Sequence, residues 1–263
     1  AVLARGRIVA EGTPAELVGR AEEATVVRFR LPHGVGRDQL PAELQAAQVT
    51  HNGEVVLSGA DDAAVVRLLN TLTGWSLERG IEPQYVCALI RHNGLTPDPA
   101  WRQSESWPWP IRIYTLGRFS VVKDGQTIRS TGKTQKKPME LLKLLIALGG
   151  REVTESRLAD TLWPDAEGDA AAQAFATTLF RLRKLLGEQA IRRQEGRVTL
   201  DPGVCWVDCW EFERVSTDAS LDPATRLARL ERLYHGPFLD GTDAEPWVQP
   251  LRQRLQAKIA RIA

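Results

Sequence analysis

The stretch GDAAAQAFATTLFRLRKLLG, residues 168–187, decides how this chain is read. It reads as one helix, with Asp169 expected as its cap and Gly187 as its stop. At about 100° per residue, Ala172, Phe175, Leu179, Leu182 and Leu186 share one side. Gln173, Thr177, Phe180, Arg181 and Lys184 fall on the opposite side, with Arg183 flanking the apolar stripe. One face is built to pack. The other offers donors and positive charge to a partner.

The neighbours give this helix a context. Upstream, REVTESRLADTLWP (151–164) predicts a short helix with Thr154 as N-cap, ended by Pro164 and buried through Leu158 and Leu162. Before it, PMELLKLLIALGG (138–150) predicts a helix opened by Pro138 at its first position, with Leu141, Leu142, Leu145 and Leu148 inward and a double-glycine stop. Further upstream, IRIYTLGRFSVVKDGQTIRS (111–130) predicts strands with a hairpin turn at Asp124-Gly125. Downstream, AIRRQEGRVTL (190–200) predicts a second hairpin, turning at Glu195-Gly196 and carrying Arg192, Arg193 and Arg197. A short helix, a long half-basic helix and a basic hairpin follow the logic of a helix-turn-helix with a wing.

Gly132-Lys133-Thr134 is the ending of a phosphate-binding P-loop, but the rest of that pattern is missing. The second glycine it needs would stand at Thr127. The preceding VVKDGQTIRS alternates polar and apolar, whereas a P-loop strand is buried on both faces. Pro138 also falls where it would interrupt a helix starting at this tripeptide.

Charge singles out the same region. The chain of 263 residues has a net charge of +1 and an ordinary globular composition, 43% hydrophobic and 25% charged. Residues 111–205 carry 16 Lys and Arg against 11 Asp and Glu, a local +5, while both flanks are slightly acidic. A basic block of this kind points to a polyanionic partner. No apolar run reaches the roughly 20 residues of a membrane span, so no membrane partner is expected. Cys87, Cys205 and Cys209 are too few for a disulfide framework, which fits a reducing cytoplasm. Cys205 and Cys209 have no second Cys/His pair to complete a zinc site, so neither metal nor cofactor is expected. The chain starts AVLARGR, with Met139 its one methionine, and is expected to be a piece of a longer reading frame.

The N-terminal part carries no chemistry of its own. A short helix near 13–19 (Thr13 cap, Pro14, Glu16), strands TVVRFRL (25–31) and GEVVLSG (53–59), and an amphipathic helix 61–80 make a small α/β unit. GRIVAEGTPAELVGR and the segment up to LTGWSLERG resemble the C-terminal tail of drug-resistance ABC-transporter ATPase subunits. That family's Walker A, signature and Walker B motifs are not present, so the resemblance implies ancestry of a segment and not ATP hydrolysis. Residues 81–110 read as a helix followed by a Pro/Trp-rich linker, whose Trp-Pro-Trp-Pro end is expected to pack its indoles on the next domain.

From residue 111 onward the chain resembles SARP-type transcriptional regulators. LLKLLIALGGREVTESRLADTLWPD, FRLRKLLG and IRRQEGRVTLDP are similar to their OmpR/PhoB-type winged helix, preceded by a four-stranded sheet. DCWEFERV (208–215), Tyr234-His235-Gly236-Pro237 and Glu245-Pro246-Trp247 are similar to the start of the TPR-like bacterial transcriptional activator domain. GIEPQYVCALIRHNGL resembles the segment preceding this domain in large multidomain regulators. The two resemblances meet near LERGIE (77–82), at a genuine fusion or a joining artefact.

The resemblance implies an α+β fold: a winged helix-turn-helix with an N-terminal antiparallel sheet and a C-terminal wing, flanked by the small α/β unit and a C-terminal α-helical segment. The expected domains are 1–80, 81–110, 111–206 and 207–263. It further implies a sequence-specific DNA-binding activator rather than an enzyme. Helix 169–186 would lie in the major groove of double-stranded DNA, with Gln173, Thr177 and Arg181 at base edges. Lys184, Arg183, Arg192, Arg193 and Arg197 would meet the backbone or minor groove. Lys133, Lys136 and Lys137 are candidate phosphate contacts, with solvated lysines as the plainer reading. Phe180 sits on the groove face, where a thymine methyl and the C-terminal helices are its two candidate partners. Leu227, Leu230, Leu233, Trp247, Leu251 and Leu255 would pack the C-terminal helices back on the winged helix and leave a surface for RNA polymerase. A homodimer on repeated sites is a further expected partner arrangement. The competing readings are a protein-interaction scaffold whose winged helix no longer binds DNA, and a fragment of an ABC ATPase.

Overall fold

The computed structural model describes residues 2–4, 7–10, 26–30, 48–49, 54–58, 62–97, 104–128, 133–219, 221–242 and 245–261. The short helix expected near 13–19 lies outside them. The chain forms two compact units, residues 1–102 with 106–108, and residues 103–105 with 109–263. The class is mixed α+β. No helix among the described residues is long and apolar enough to cross a membrane.

In the first unit, strands β1 (Val2–Ala4) and β2 (Arg7–Ala10) pair antiparallel. Strands β3 (Val26–Arg30), β4 (Gln48–Val49) and β5 (Glu54–Ser58) form a sheet in the order β3-β5-β4. Helix α1 (Asp62–Glu78) ends where Gly80 enters the left-handed region, its turn closed by Ile81 N–H donating to the Ser76 carbonyl at 2.8 Å. Helix α2 (Pro83–His92) buries Val86 and Ile90, one turn apart. Of the two linker indoles described, Trp107 groups with this unit and Trp109 with the next; both are buried.

The second unit opens with strands β6 (Ile111–Tyr114), β7 (Ser120–Lys123) and β8 (Gln126–Thr127), joined antiparallel. Asp124 and Gly125 both have positive φ, as a two-residue turn matched to strand twist requires. The sheet's fourth strand does not come from this meander. Strand β12 (Cys205–Val207) returns to the other side of β6 and pairs with it in parallel, giving the order β12-β6-β7-β8. The expected leading four-stranded antiparallel sheet is therefore three leading strands and one late arrival.

Three helices follow the meander. Helix α3 (Lys133–Ala147) runs through Pro138 instead of starting at it, so the helix is not interrupted there although an interior proline forgoes its own N–H bond and crowds the carbonyl four residues back. Leu141, Leu142, Leu144, Leu145 and Ile146 are buried, while Leu148 lies beyond the helix and is only half-buried. Helix α4 (Glu155–Leu162) has Thr154 at its N-cap position without a side-chain bond, and buries Leu158 and Leu162. Helix α5 (Gly168–Leu186) has Glu167 at the cap, so Asp169 sits in the first turn, where its charge suits the helix dipole. Its buried stripe is Ala171, Phe175, Thr178, Leu179, Leu182 and Leu186. Ala172 is exposed, because the stripe passes through Ala171; Thr178 joins it by donating its hydroxyl to the Ala174 carbonyl at 2.8 Å. Strands β10 (Ile191–Gln194) and β11 (Arg197–Leu200) form a hairpin turning at Glu195-Gly196, and β9 (Val153–Thr154) extends it in the order β10-β11-β9.

Helix α6 (Asp208–Thr217) starts directly after β12 and packs against α7 (Pro223–Leu233). Asp222 caps α7, accepting from Thr225 N–H at 3.0 Å. A 3₁₀ turn at Pro246–Val248 packs on α3 and leads into α8 (Gln249–Ile259). Leu230, Leu233, Leu251 and Leu255 are buried, but Leu227 is 37% exposed and Trp247 only half-buried. The Tyr234–Pro237 segment crosses close over Gly117, whose N–H donates to the Pro237 carbonyl at 2.9 Å.

Asp208 joins these parts. Its Oδ2 accepts from the N–H groups of Thr115 (2.6 Å) and Leu116 (2.8 Å), and its Oδ1 from Thr115 Oγ1 (2.6 Å) and Cys209 N–H (2.7 Å). Burial pushes its carboxyl up to about 6 from 3.8, against the pull of the four donors. The folded chain therefore holds a proton here that the unfolded chain has released between those two values. Stability from this group falls as pH rises through that window. Relative to Asp208→Asn, wild type is expected to lose about 2 kcal/mol of unfolding free energy between pH 4 and 7, read by urea titration at each pH. Asp208→Ala, which strands buried donors, is expected to cost about 3 kcal/mol or more. A Cβ on Gly150 would overlap Trp210 Cζ2, on a residue with φ of +71°. Gly150→Ala is expected to destabilise by about 3 kcal/mol in urea unfolding, from strain and overlap together.

Candidate nucleic-acid interface

The α3–α4–α5 packing turns one face of α5 outward. Gln173, Thr177, Arg181 and Lys184 are all exposed on it, and none of their side chains makes a hydrogen bond or ion pair among the described residues. Phe180 stands among them, 64% exposed, so it is not covered by the C-terminal helices. Arg183 differs: it is half-buried and ion-paired with Glu188 just past the helix end. Its Nε is buried without a partner.

The hairpin presents its arginines on two faces. Ile191, Val198 and Leu200 point inward, and Arg193 follows them toward the N-terminus of α4. There it makes a bidentate pair with Glu155 at 2.6 and 2.8 Å, which raises its pKa. Arg192 and Arg197 lie on the outer face. Arg192 pairs with Asp201 at 2.9 Å, and Arg197 donates to the Glu152 carbonyl at 3.2 Å. With Arg151, Gln194, Thr199, Pro202 and two acidic residues, Glu152 and Glu195, they line a shallow cleft of about 680 Å³. Arg151 did not stand out in the sequence, because only the pairing of β9 with β11 brings the loop before it to this face. Each hairpin arginine is already held by a protein oxygen, yet a guanidinium has five N–H groups and keeps donors to spare.

The lysines near α3 divide. Lys136 is exposed and 3.9 Å from Glu140. Lys137 is engaged three ways: with Glu140 at 3.0 Å, with the Leu162 carbonyl at 3.4 Å, and over the Trp163 ring at 5.7 Å. It ties α3 to the end of α4. The Lys133 side chain lies outside the described residues. Gly132-Lys133-Thr134 does immediately precede and open a helix, but the strand before it, β8, is a short, exposed edge strand. The strand leading into a nucleotide-binding loop is buried on both faces, and β8 is not.

No family model matches the chain, and no curated protein matches it. Among solved structures it is similar to Mycobacterium tuberculosis EmbR, determined in complex with a low affinity phosphopeptide, at TM-score 0.45 and 20% identity. That likeness covers 58% of this chain and 43% of the EmbR chain, so it spans less than half of the latter.

Among the described residues no cluster of His, Cys, Asp and Glu is arranged to hold a metal ion. Cys205 and Cys209 are buried free thiols, and burial raises the pKa of both, so they are small apolar groups at neutral pH. The Arg193–Glu155 pair is half-exposed and bidentate, which places it at the upper end of what surface ion pairs contribute to folding, about 1 kcal/mol. Glu155→Gln is expected to change stability by less than about 1 kcal/mol in thermal unfolding, while freeing Arg193.

Proposed function

We propose that this chain is a sequence-specific, DNA-binding transcriptional regulator of the SARP type, with residues 111–206 forming a winged helix-turn-helix. Helix α5 enters the major groove, with Gln173, Thr177 and Arg181 at base edges. Lys184, the hairpin arginines and Arg183 contact the backbone or minor groove, with Lys136 as a further phosphate contact. The C-terminal helices form the beginning of a TPR-like activator module and offer a surface to RNA polymerase.

The observation that carries this reading is the outward face of α5. Four polar or basic side chains lie there unengaged, on a helix whose other face is locked into a core. A rigid helix with free donors is suited to base-edge recognition: Arg to guanine and Gln to adenine are the usual pairings. The internal pairing of Arg192 and Arg193 favours the second reading, an interaction scaffold that does not bind DNA.

A salt titration separates the two. The whole chain is expected to bind duplex DNA with affinity falling by about 0.9 log unit per phosphate neutralised for each log unit of salt. Arg181→Ala/Lys184→Ala should weaken binding further and flatten the salt slope by about one unit for each phosphate that is no longer neutralised. Fluorescence anisotropy against salt measures both. Binding that is absent, or that ignores the double substitution, supports the scaffold.

A further inference from the structure

Phe180 is the most exposed large hydrophobic residue described, and it stands on the outward face of α5. The other phenylalanines with described side chains, Phe119, Phe175, Phe212 and Phe238, are buried or half-buried. Phe180 instead stands one residue before Arg181, three after Thr177 and four before Lys184, in the centre of the unengaged face. Ala172 and Ala176, two turns and one turn before it, are exposed and small, so nothing on the helix shields the ring from an approaching surface. A phenyl ring left in water forgoes its burial free energy unless a partner covers it. The cationic neighbours choose that partner: an apolar group set in a polyanion. In the major groove the apolar group on display is the C5-methyl of thymine.

We propose that Phe180 is a specificity-determining residue that packs on the C5-methyl of a thymine. That thymine lies within one or two base pairs of the base read by Arg181. The helix advances about 1.5 Å per residue and the duplex about 3.4 Å per base pair, so adjacent residues address the same or neighbouring pairs. This rests on the reading of α5 as the groove helix. It adds a hydrophobic term to a recognition surface otherwise made of hydrogen bonds and charge.

Replacing thymine by uracil removes the methyl group and leaves the pairing edge unchanged. The test first selects bound duplexes from a random-sequence library with the wild-type chain. Each thymine of a selected site is then replaced singly by uracil. Wild type is expected to bind about fourfold more weakly at one or two positions, the factor for one methyl withdrawn from water. Phe180→Ala should bind the thymine duplex more weakly by a similar factor and no longer distinguish uracil. Phe180→Leu should keep most of the distinction. The melting temperature of Phe180→Ala should match wild type, because the ring is exposed. Uracil indifference in wild type at every position, or uracil sensitivity that survives in Phe180→Ala, overturns the assignment of Phe180 while leaving DNA binding intact. Failure to select any duplex overturns the groove reading and this inference together, and points to a protein partner for the ring.

Discussion

The buried carboxylate of Asp208 is what the second unit is organised around. Strand β6 ends at Tyr114, and the next two backbone N–H groups would otherwise be orphaned in the core; Asp208 accepts both. The same residue opens α6 and follows β12, the strand that pairs in parallel with β6. One side chain therefore fixes the end of an early strand, the position of a late strand and the start of the C-terminal helices. A buried, hydrogen-bonded carboxylate imposes its geometry strongly, since every alternative placement strands several polar groups. The three-helix core and the hairpin are framed between these two ends of the chain.

That frame explains why the outward face of α5 is free. The inward stripe is used up against α3 and α4, and the hairpin is anchored by β9 pairing with β11. What remains outside is the stripe from Gln173 to Lys184 and the outer face of the hairpin. The two surfaces differ in kind. The helix side chains are unengaged, whereas the hairpin arginines are held in place by Glu155, Asp201 and the Glu152 carbonyl. Held arginines give up less rotamer freedom to a partner than free ones do, but they must share their donors.

The parts of this structure readable from sequence are those governed by neighbours in the chain. Asp124-Gly125 and Glu195-Gly196 announce hairpins because few residue pairs tolerate two positive φ values. The helical stripes of 138–150 and 168–187 follow from spacing, and the exposure of Gln173, Thr177, Arg181 and Lys184 with them. Spacing alone could not separate Ala171 from Ala172, two small residues at the edge of the stripe. Nor could Asp169 be told from Glu167 as the residue at the cap. The illegible features are the long-range ones: the parallel return of β12, the role of Asp208, and the claim of Glu155 on Arg193. Each depends on residues brought together from distant positions, and no local pattern encodes such a meeting.

The parallel pairing of β12 with β6 also governs when this unit can become whole. Cys205 must reach Ile111, and Asp208 must reach Thr115, 93 positions apart. During synthesis, the meander and all three core helices leave the ribosome before the strand that completes their sheet exists. Until then one side of β6 presents open backbone donors and acceptors, an invitation to the wrong strand. The arrival of residues 205–209 closes that edge. A nascent chain cut short before this point would carry the whole sequence of the outward helix and still lack the strand that finishes its scaffold.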